Sequence, residues 1–157
     1  TRLTGAALII VAATDLPVSF QNLTSLLTPS HWTPMREHEV GERIRSATAP
    51  GALVLTTTPI QPIEGGLRVY PEFATGAFAW RMAGFLSPED RERSQMTSAA
   101  ELGGRLARRP PDAIFFNRRK EFVQPFIDYA QTRGYRRVDD PISGGYAIWV
   151  RPELRPP

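Results

Sequence analysis

A short apolar run between two turn signals constrains the fold of this chain more than any other feature. Residues Ala52–Thr56 read ALVLT, with Pro50-Gly51 before them and Pro59 shortly after. A run this short, without polar alternation, is typical of a strand that is buried on both faces of a parallel sheet. Because parallel strands need long crossover connections, usually helices, the run predicts an α/β domain.

Helical and strand-like segments alternate along the rest of the chain. Apolar spacing, caps and prolines predict helices at 16–27, 35–48, 75–86, 98–108 and 121–133, with a helical turn at 88–92. Further short apolar runs predict strands at 67–70, 112–116, 135–138 and 146–150. The link DDPISGG between the last two strands is too short for a crossover helix, so this pair is expected to form an antiparallel hairpin.

These elements predict a three-layer αβα sandwich whose sheet is mostly parallel and ends in an antiparallel C-terminal hairpin. One soluble α/β domain is expected over residues 15–157, since 41% hydrophobic residues suffice for an ordinary core. The apolar run Leu3–Ala13 has about half of the roughly 20 residues that a membrane span needs. Residues 1–14 are therefore interpreted either as the end of a truncated transmembrane helix or as a buried strand.

Several kinds of catalytic and cofactor site are not supported by the residues. The chain has no cysteine, which excludes disulfides, thiolate metal sites and a thiol nucleophile. Thr57-Thr58-Pro59 follows the first strand where a phosphate-binding loop would need glycines, and no G-x-S-x-G motif occurs. Gly65-Gly66 and Gly144-Gly145 are interpreted as turn residues with positive φ. We expect no cofactor.

Two histidines suggest a metal site, but their spacing does not support one. His31 and His38 lie seven residues apart, and Glu37 and Glu39 flank the second. Imidazole and carboxylate groups are common metal ligands. Because this spacing matches no compact metal motif, capping or surface roles are favoured and no metal is expected.

The basic residues are almost all arginines, since Lys120 is the one lysine among 19. The net charge of +3 fits phosphate or anionic lipid partners and a plain solvated surface equally well. RLARRPP and NRRK flank the strand at 112–116, so arginines are expected at both of its ends, as in an anion site. No recognition helix or aromatic-rich sheet signature accompanies them, and no nucleic-acid partner is expected.

One group of charged residues surrounds the second predicted strand. Glu64 and Glu72 bracket Arg68. A carboxylate in this position either binds sugar hydroxyls or pairs with the arginine, and the pairing is the simpler interpretation.

A longer stretch resembles a known protein family. The run PGALVLTTTPIQPIEGGLRVYPEFATGAFAWR, from Pro50 to Arg81, is similar to the soluble C-terminal tail of bacterial membrane glycosyltransferases of the GT-C class, those like dolichyl-phosphate-mannose-protein mannosyltransferases. PPDAIFF, YAQTRGY and YAIWVR resemble later parts of such tails. The resemblance covers about two thirds of the chain, and its most specific part is YPEFATGAFAWR.

The resemblance implies a parent enzyme that takes sugar from a polyprenyl-phosphate donor on the extracytoplasmic, periplasmic side of the membrane. Its catalytic carboxylate lies in an early membrane loop, so this chain would be non-catalytic and residues 1–14 would end the last transmembrane helix. The tail would bind acceptor glycan or polyprenyl-phosphate lipid, or dock on the transmembrane module. The residues that we assign to this role by hypothesis are Glu64, Arg68, Tyr70, Glu72, Phe73, Trp80 and Arg81.

Two other interpretations stay open. Phe78 and Trp80 would be ordinary core residues, with Arg81 in a local salt bridge, if the segment only supports the fold. The chain as a whole would alternatively be a free-standing α/β domain that binds a nucleotide or small anionic ligand at the carboxyl ends of its strands.

Overall fold

In a computed structural model of the protein, residues 27–29, 32–117, 121–138 and 145–152 are described. The chain divides into two compact units, Thr1–Arg36 and Glu37–Pro157. In the first unit, the Trp32 backbone N–H donates to the Pro29 carbonyl at 3.0 Å. The predicted helix at 16–27 and the apolar run at 1–14 lie outside the described residues, apart from Leu27, and stay predictions.

The described residues contain six α-helices, three 3₁₀ turns and five strands. The helices are α1 (Thr33–Ser46), α2 (Ile60–Glu64), α3 (Ala77–Met82), α4 (Pro88–Arg93), α5 (Ala99–Arg108) and α6 (Gln124–Thr132). The strands are β1 (Leu53–Thr56), β2 (Arg68–Val69), β3 (Ala113–Asn117), β4 (Arg136–Val138) and β5 (Tyr146–Val150). The 3₁₀ turns are Pro71–Phe73, Ala83–Phe85 and Glu121–Val123.

The sheet is mixed, with the strand order β2-β1-β3-β5-β4. β1 pairs in parallel with both β2 and β3, whereas β5 pairs antiparallel with both β3 and β4. The predicted α/β class and the antiparallel pairing of the last two strands are therefore confirmed. The sheet ends in this antiparallel pair, with β4 at the edge and β5 between β3 and β4. The connection through α6 places β4 two strand positions from β3, and β5 occupies the position between them.

Alternate strand residues face two separate apolar clusters. Leu53, Leu55, Ile114 and Phe116 belong to one cluster, which also contains residues of α5 and α6. Val54, Ala113 and Phe115 belong to the other, together with Val40 and Ile44 of α1. All four residues of β1 are buried, as the apolar run predicts. Burial of both faces explains why this strand lacks polar alternation.

Glycine and proline divide two segments that the sequence predicts to be continuous. The helix predicted at 75–86 is observed as α3 followed by a 3₁₀ turn, because Gly76 has φ of 67° before α3 and Gly84 weakens its continuation. β2 has two residues instead of four, since Pro71 lacks the N–H that a longer ladder requires. Pro125 in the first turn of α6 likewise marks where the predicted helix at 121–133 becomes α-helical.

Two glycines bring α1 against α2, a short helix that the sequence pattern does not predict. A Cβ atom on Gly41 would lie 2.5 Å from the Gln61 carbonyl oxygen, and one on Gly65 would lie 2.4 Å from the Gly41 carbonyl oxygen. Gly65 has φ of −76°, so the expectation of positive φ is wrong for this residue. Its missing side chain permits close helix packing. Gly66 and Gly145 do have positive φ, while Gly144 is outside the described residues.

Candidate docking surface

The aromatic residues of the segment resembling glycosyltransferase tails are part of the core. Tyr70, Phe73 and Trp80 retain 2%, 1% and 7% of their exposed surface. Phe73 lies 5.7 Å from Trp80 between ring centroids, and Trp80 lies 4.8 Å from Phe126. Burial raises the pKa of Tyr70 above its ordinary value, and its hydroxyl donates to the Arg109 carbonyl. These rings present no open face on which a sugar ring could stack, and the core interpretation of Trp80 is confirmed.

The charged residues near β2 have partners outside the group that the sequence suggested. Glu72 Oε1 lies 2.6 Å from Arg105 Nη1, and Arg68 Nε donates to the Gly51 carbonyl at 2.7 Å. Glu64 lies 3.4 Å from His38 Nδ1 at the surface. The expected pairing of Arg68 with Glu64 or Glu72 is therefore wrong. Tertiary contacts with α1 and α5, which local spacing does not reveal, select other partners.

The residues around His38 are engaged in separate contacts. Glu37 accepts a hydrogen bond from Gln61 Nε2, and Glu39 pairs with Arg43 at 2.9 Å. His31 lies outside the described residues. Within the described ranges, no group of three histidine, aspartate or glutamate side chains is arranged to hold a metal ion.

An exposed apolar surface covers the outer side of α3 and the 3₁₀ turn after it. Phe78, Met82 and Phe85 are 63%, 37% and 85% exposed. Their spacing of four and then three residues places them on one side of a helical segment. Ala79, Trp80 and Ala83 alternate with them and are buried. The segment is thus apolar on two sides, although only one of them packs against the core.

This surface encloses an open depression with a volume of about 640 Å³. Its lining consists of Phe78, Arg81, Met82, Phe85 and Phe122, which together we call the docking surface. Phe122 is half-buried, and Arg81 is exposed and supplies the charged group. The Trp80 indole N–H donates to the Phe122 carbonyl at 3.1 Å, which ties the two parts of this surface together.

One residue of this surface, Phe78, was open to a core interpretation from the sequence. The core interpretation of Phe78 is wrong, because its side chain is exposed. One signal was available, because apolar residues occupy more of 77–85 than one buried helix side requires. Arg81, one of the residues assigned by hypothesis to acceptor binding or docking, lies on this surface.

Comparisons of the chain with models of protein families, with curated proteins and with solved structures find no match. Among the helices of the described part of the chain, none has the length and apolar character needed to cross a membrane.

Proposed function

We propose that this chain is a non-catalytic C-terminal domain of a polyprenyl-phosphate-sugar-dependent membrane glycosyltransferase, placed on the extracytoplasmic side, and that its docking surface contacts the membrane module of the parent chain. The observation that supports this is the exposed cluster of Phe78, Met82 and Phe85. It begins inside YPEFATGAFAWR, the stretch most similar to glycosyltransferase tails, and ends four residues beyond it.

The apolar character of the surface favours docking over acceptor binding. Fully burying one large apolar side chain contributes about 1.5–3 kcal/mol, so covering Phe78 and Phe85 is favourable. Sugar binding would instead need several hydrogen-bonding groups beside an aromatic face. Arg81 is the charged residue of the lining. A guanidinium in this position suits the membrane interface, where it pairs with lipid phosphate while apolar neighbours are covered.

We also infer that the domain is a three-layer αβα sandwich with a mostly parallel sheet. Support comes from the two apolar clusters, since α1 contributes to one and α5 and α6 to the other. β4 runs antiparallel to β5, which itself runs antiparallel to β3. Four of the five strands therefore share one direction.

The gene provides the first test of the proposal. We expect the reading frame upstream of Thr1 to encode a series of apolar segments of about 20 residues each, enough to span a membrane repeatedly. A reading frame that starts near Thr1 would contradict the proposal.

The second test uses the full-length protein in native membranes. Replacing Phe78 and Phe85 by serine is expected to lower sugar transfer from a polyprenyl-phosphate donor by about tenfold or more, because the lost apolar contacts exceed 1.4 kcal/mol. The matched control replaces Ile60 and Ile63, which are 60% and 55% exposed on α2. Unchanged transfer in the phenylalanine variant, or an equal loss in the control, would contradict docking through this surface.

A further inference from the structure

A second cleft lies at the amino ends of β3 and β4, away from the carboxyl ends at which α/β domains usually bind ligands. Its volume is about 330 Å³, at the lower end of the roughly 300–1,000 Å³ typical of small-molecule sites. The lining includes two arginines, two tyrosines and apolar side chains, namely Leu106, Pro110, Tyr129, Arg133, Tyr135 and Arg151.

The two arginines supply positive charge that is only partly neutralised. Arg151 Nη2 lies 3.0 Å from Asp112 Oδ1, while its buried Nε has no hydrogen-bond partner within the described residues. Arg133 is exposed, with its guanidinium carbon 5.9 Å from the centroid of the Tyr129 ring. No carboxylate of the described ranges forms an ion pair with it.

Three further arginines are adjacent in sequence to residues that line the cleft. Arg108 is the last residue of α5, Arg109 follows it, and Arg136 begins β4, all with exposed side chains. Asp112 is the acidic residue next to β3, and it is already engaged by Arg151 and, through Oδ2, by the Leu53 backbone N–H at 2.8 Å. An anion entering the cleft would therefore meet guanidinium groups that the protein's own carboxylate does not saturate.

The tyrosines form one wall of the cleft. The rings of Tyr129 and Tyr135 lie 5.9 Å apart, and the Tyr135 hydroxyl donates to the Pro111 carbonyl. Burial raises the pKa of Tyr135 above its ordinary value, so this hydroxyl stays neutral and adds no negative charge. Tyr129 and Pro110 leave a partly apolar wall beside the arginines.

We propose that this cleft binds a phosphate ester whose organic ring packs on Tyr129 and whose phosphate is held by Arg133 and Arg151. Guanidinium groups match the geometry of phosphate oxygens, and two of them suit a dianion. The cleft has room for one ring and one phosphate. The proposal rests on this geometry alone and does not depend on the glycosyltransferase assignment.

The test titrates the 157-residue chain with phenyl phosphate, inorganic phosphate and phenol, following backbone amide shifts by NMR. We expect saturable binding of phenyl phosphate, with shifts confined to residues around the cleft and weaker binding of the other two compounds. Arg133→Gln should weaken binding about tenfold, because the phosphate loses a charge-assisted hydrogen bond. Tyr129→Leu should weaken the binding of phenyl phosphate more than the binding of inorganic phosphate.

Arg93→Gln is the matched control, since Arg93 is an exposed arginine of α4 paired with Glu89. Its affinity for phenyl phosphate should be unchanged. No saturable binding, or an equal loss in the Arg93 and Arg133 variants, would overturn the proposal. Because Arg133 is exposed, its replacement should not unfold the chain, and the amide spectrum of the variant verifies this directly.

Two competitors identify the source of the phosphate. Displacement of phenyl phosphate by phosphatidylcholine vesicles that contain phosphatidic acid would assign the cleft to a lipid phosphate, and no displacement would assign it to a free phosphate ester. Either result supports the proposal. A random oligonucleotide serves as the negative test. The proposal would be overturned if the oligonucleotide displaced phenyl phosphate, if this displacement disappeared at moderate salt, and if Arg133→Gln did not change it. That behaviour indicates non-specific electrostatic binding.

Discussion

Trp80 donates its indole N–H to the carbonyl oxygen of Phe122 across 3.1 Å, joining α3 to the 3₁₀ turn after β3. The two residues are 42 positions apart in the chain, yet both adjoin the docking surface. With the Trp80 ring packed against Phe73 and Phe126, this bond fixes which side of α3 faces the core. Phe78 and Met82 are exposed as a consequence.

Replacing Trp80 by phenylalanine is expected to lower the free energy of unfolding by about 1–3 kcal/mol, because the half-buried Phe122 carbonyl loses its donor. Trp149→Phe is the matched control. The Trp149 indole nitrogen is buried and has no hydrogen-bond partner in the described part of the chain, so removing it should cost less. Urea denaturation of both variants measures the difference. Equal losses would show that ring volume, and not the hydrogen bond, determines the effect.

The contact between α1 and α2 should tolerate no side chain at Gly41. Gly41→Ala would place a Cβ atom 2.5 Å from the Gln61 carbonyl oxygen and 2.7 Å from the Gly65 nitrogen. We expect a loss of about 1–3 kcal/mol in the free energy of unfolding, since both neighbours are backbone atoms.

Gly103 of α5 provides the control, because a Cβ atom there would meet nothing within 4 Å. Gly103→Ala should stabilise the protein by about 0.5–1 kcal/mol through helix propensity. Thermal unfolding of the two variants should therefore shift in opposite directions. A stable Gly41→Ala protein would mean that the two helices can separate without loss.

Glu101 gives stability a dependence on pH. Hydrogen bonds from Arg91, including one of 2.7 Å from Nη2, hold the pKa of Glu101 below its ordinary value, and the Ser98 backbone N–H contributes. Because the pKa is lower in the folded state, the stabilisation is present above the unfolded value of about 4.3 and is lost as pH falls through the folded value.

Glu101→Gln should therefore be less stable than the wild-type protein near pH 6, with the difference shrinking towards pH 3. Urea denaturation across this range measures it. Arg91 also donates hydrogen bonds to the carbonyl groups of Ala83 and Leu86. Weakening the contact between Arg91 and Glu101 should therefore destabilise the C-terminal end of the docking surface. A difference that stays constant with pH would contradict this assignment.

Local signals in the sequence predict most of the elements but not their arrangement. ALVLT, DAIFF and YAIWV are short apolar runs, and each is a strand within one residue of its predicted bounds. The helix predicted at 98–108 is α5, and Glu101 accepts a hydrogen bond from the Ser98 backbone N–H, as in a capping box. Nothing local specifies that β5 lies between β3 and β4, because strand order depends on contacts between distant segments.

The candidate site was less predictable, for a physical reason. Tyr70 and Trp80 are amphipathic aromatic residues that suit a binding surface as well as a core, and composition cannot separate these roles. The structure buries both and exposes Phe78 and Phe85. Which side of an apolar helix is buried depends on the element packed against it, here α6 through Phe126.

The most direct test of the central claim is site-specific photo-crosslinking of the full-length protein in its own membrane. A benzophenone amino acid at Phe85 should form crosslinks to membrane-spanning segments of the same chain, identified by mass spectrometry of the peptides. The same probe at Arg93, which is exposed on α4, should not. Crosslinks from position 85 that are no more frequent than those from position 93 would contradict docking of this domain on a membrane module.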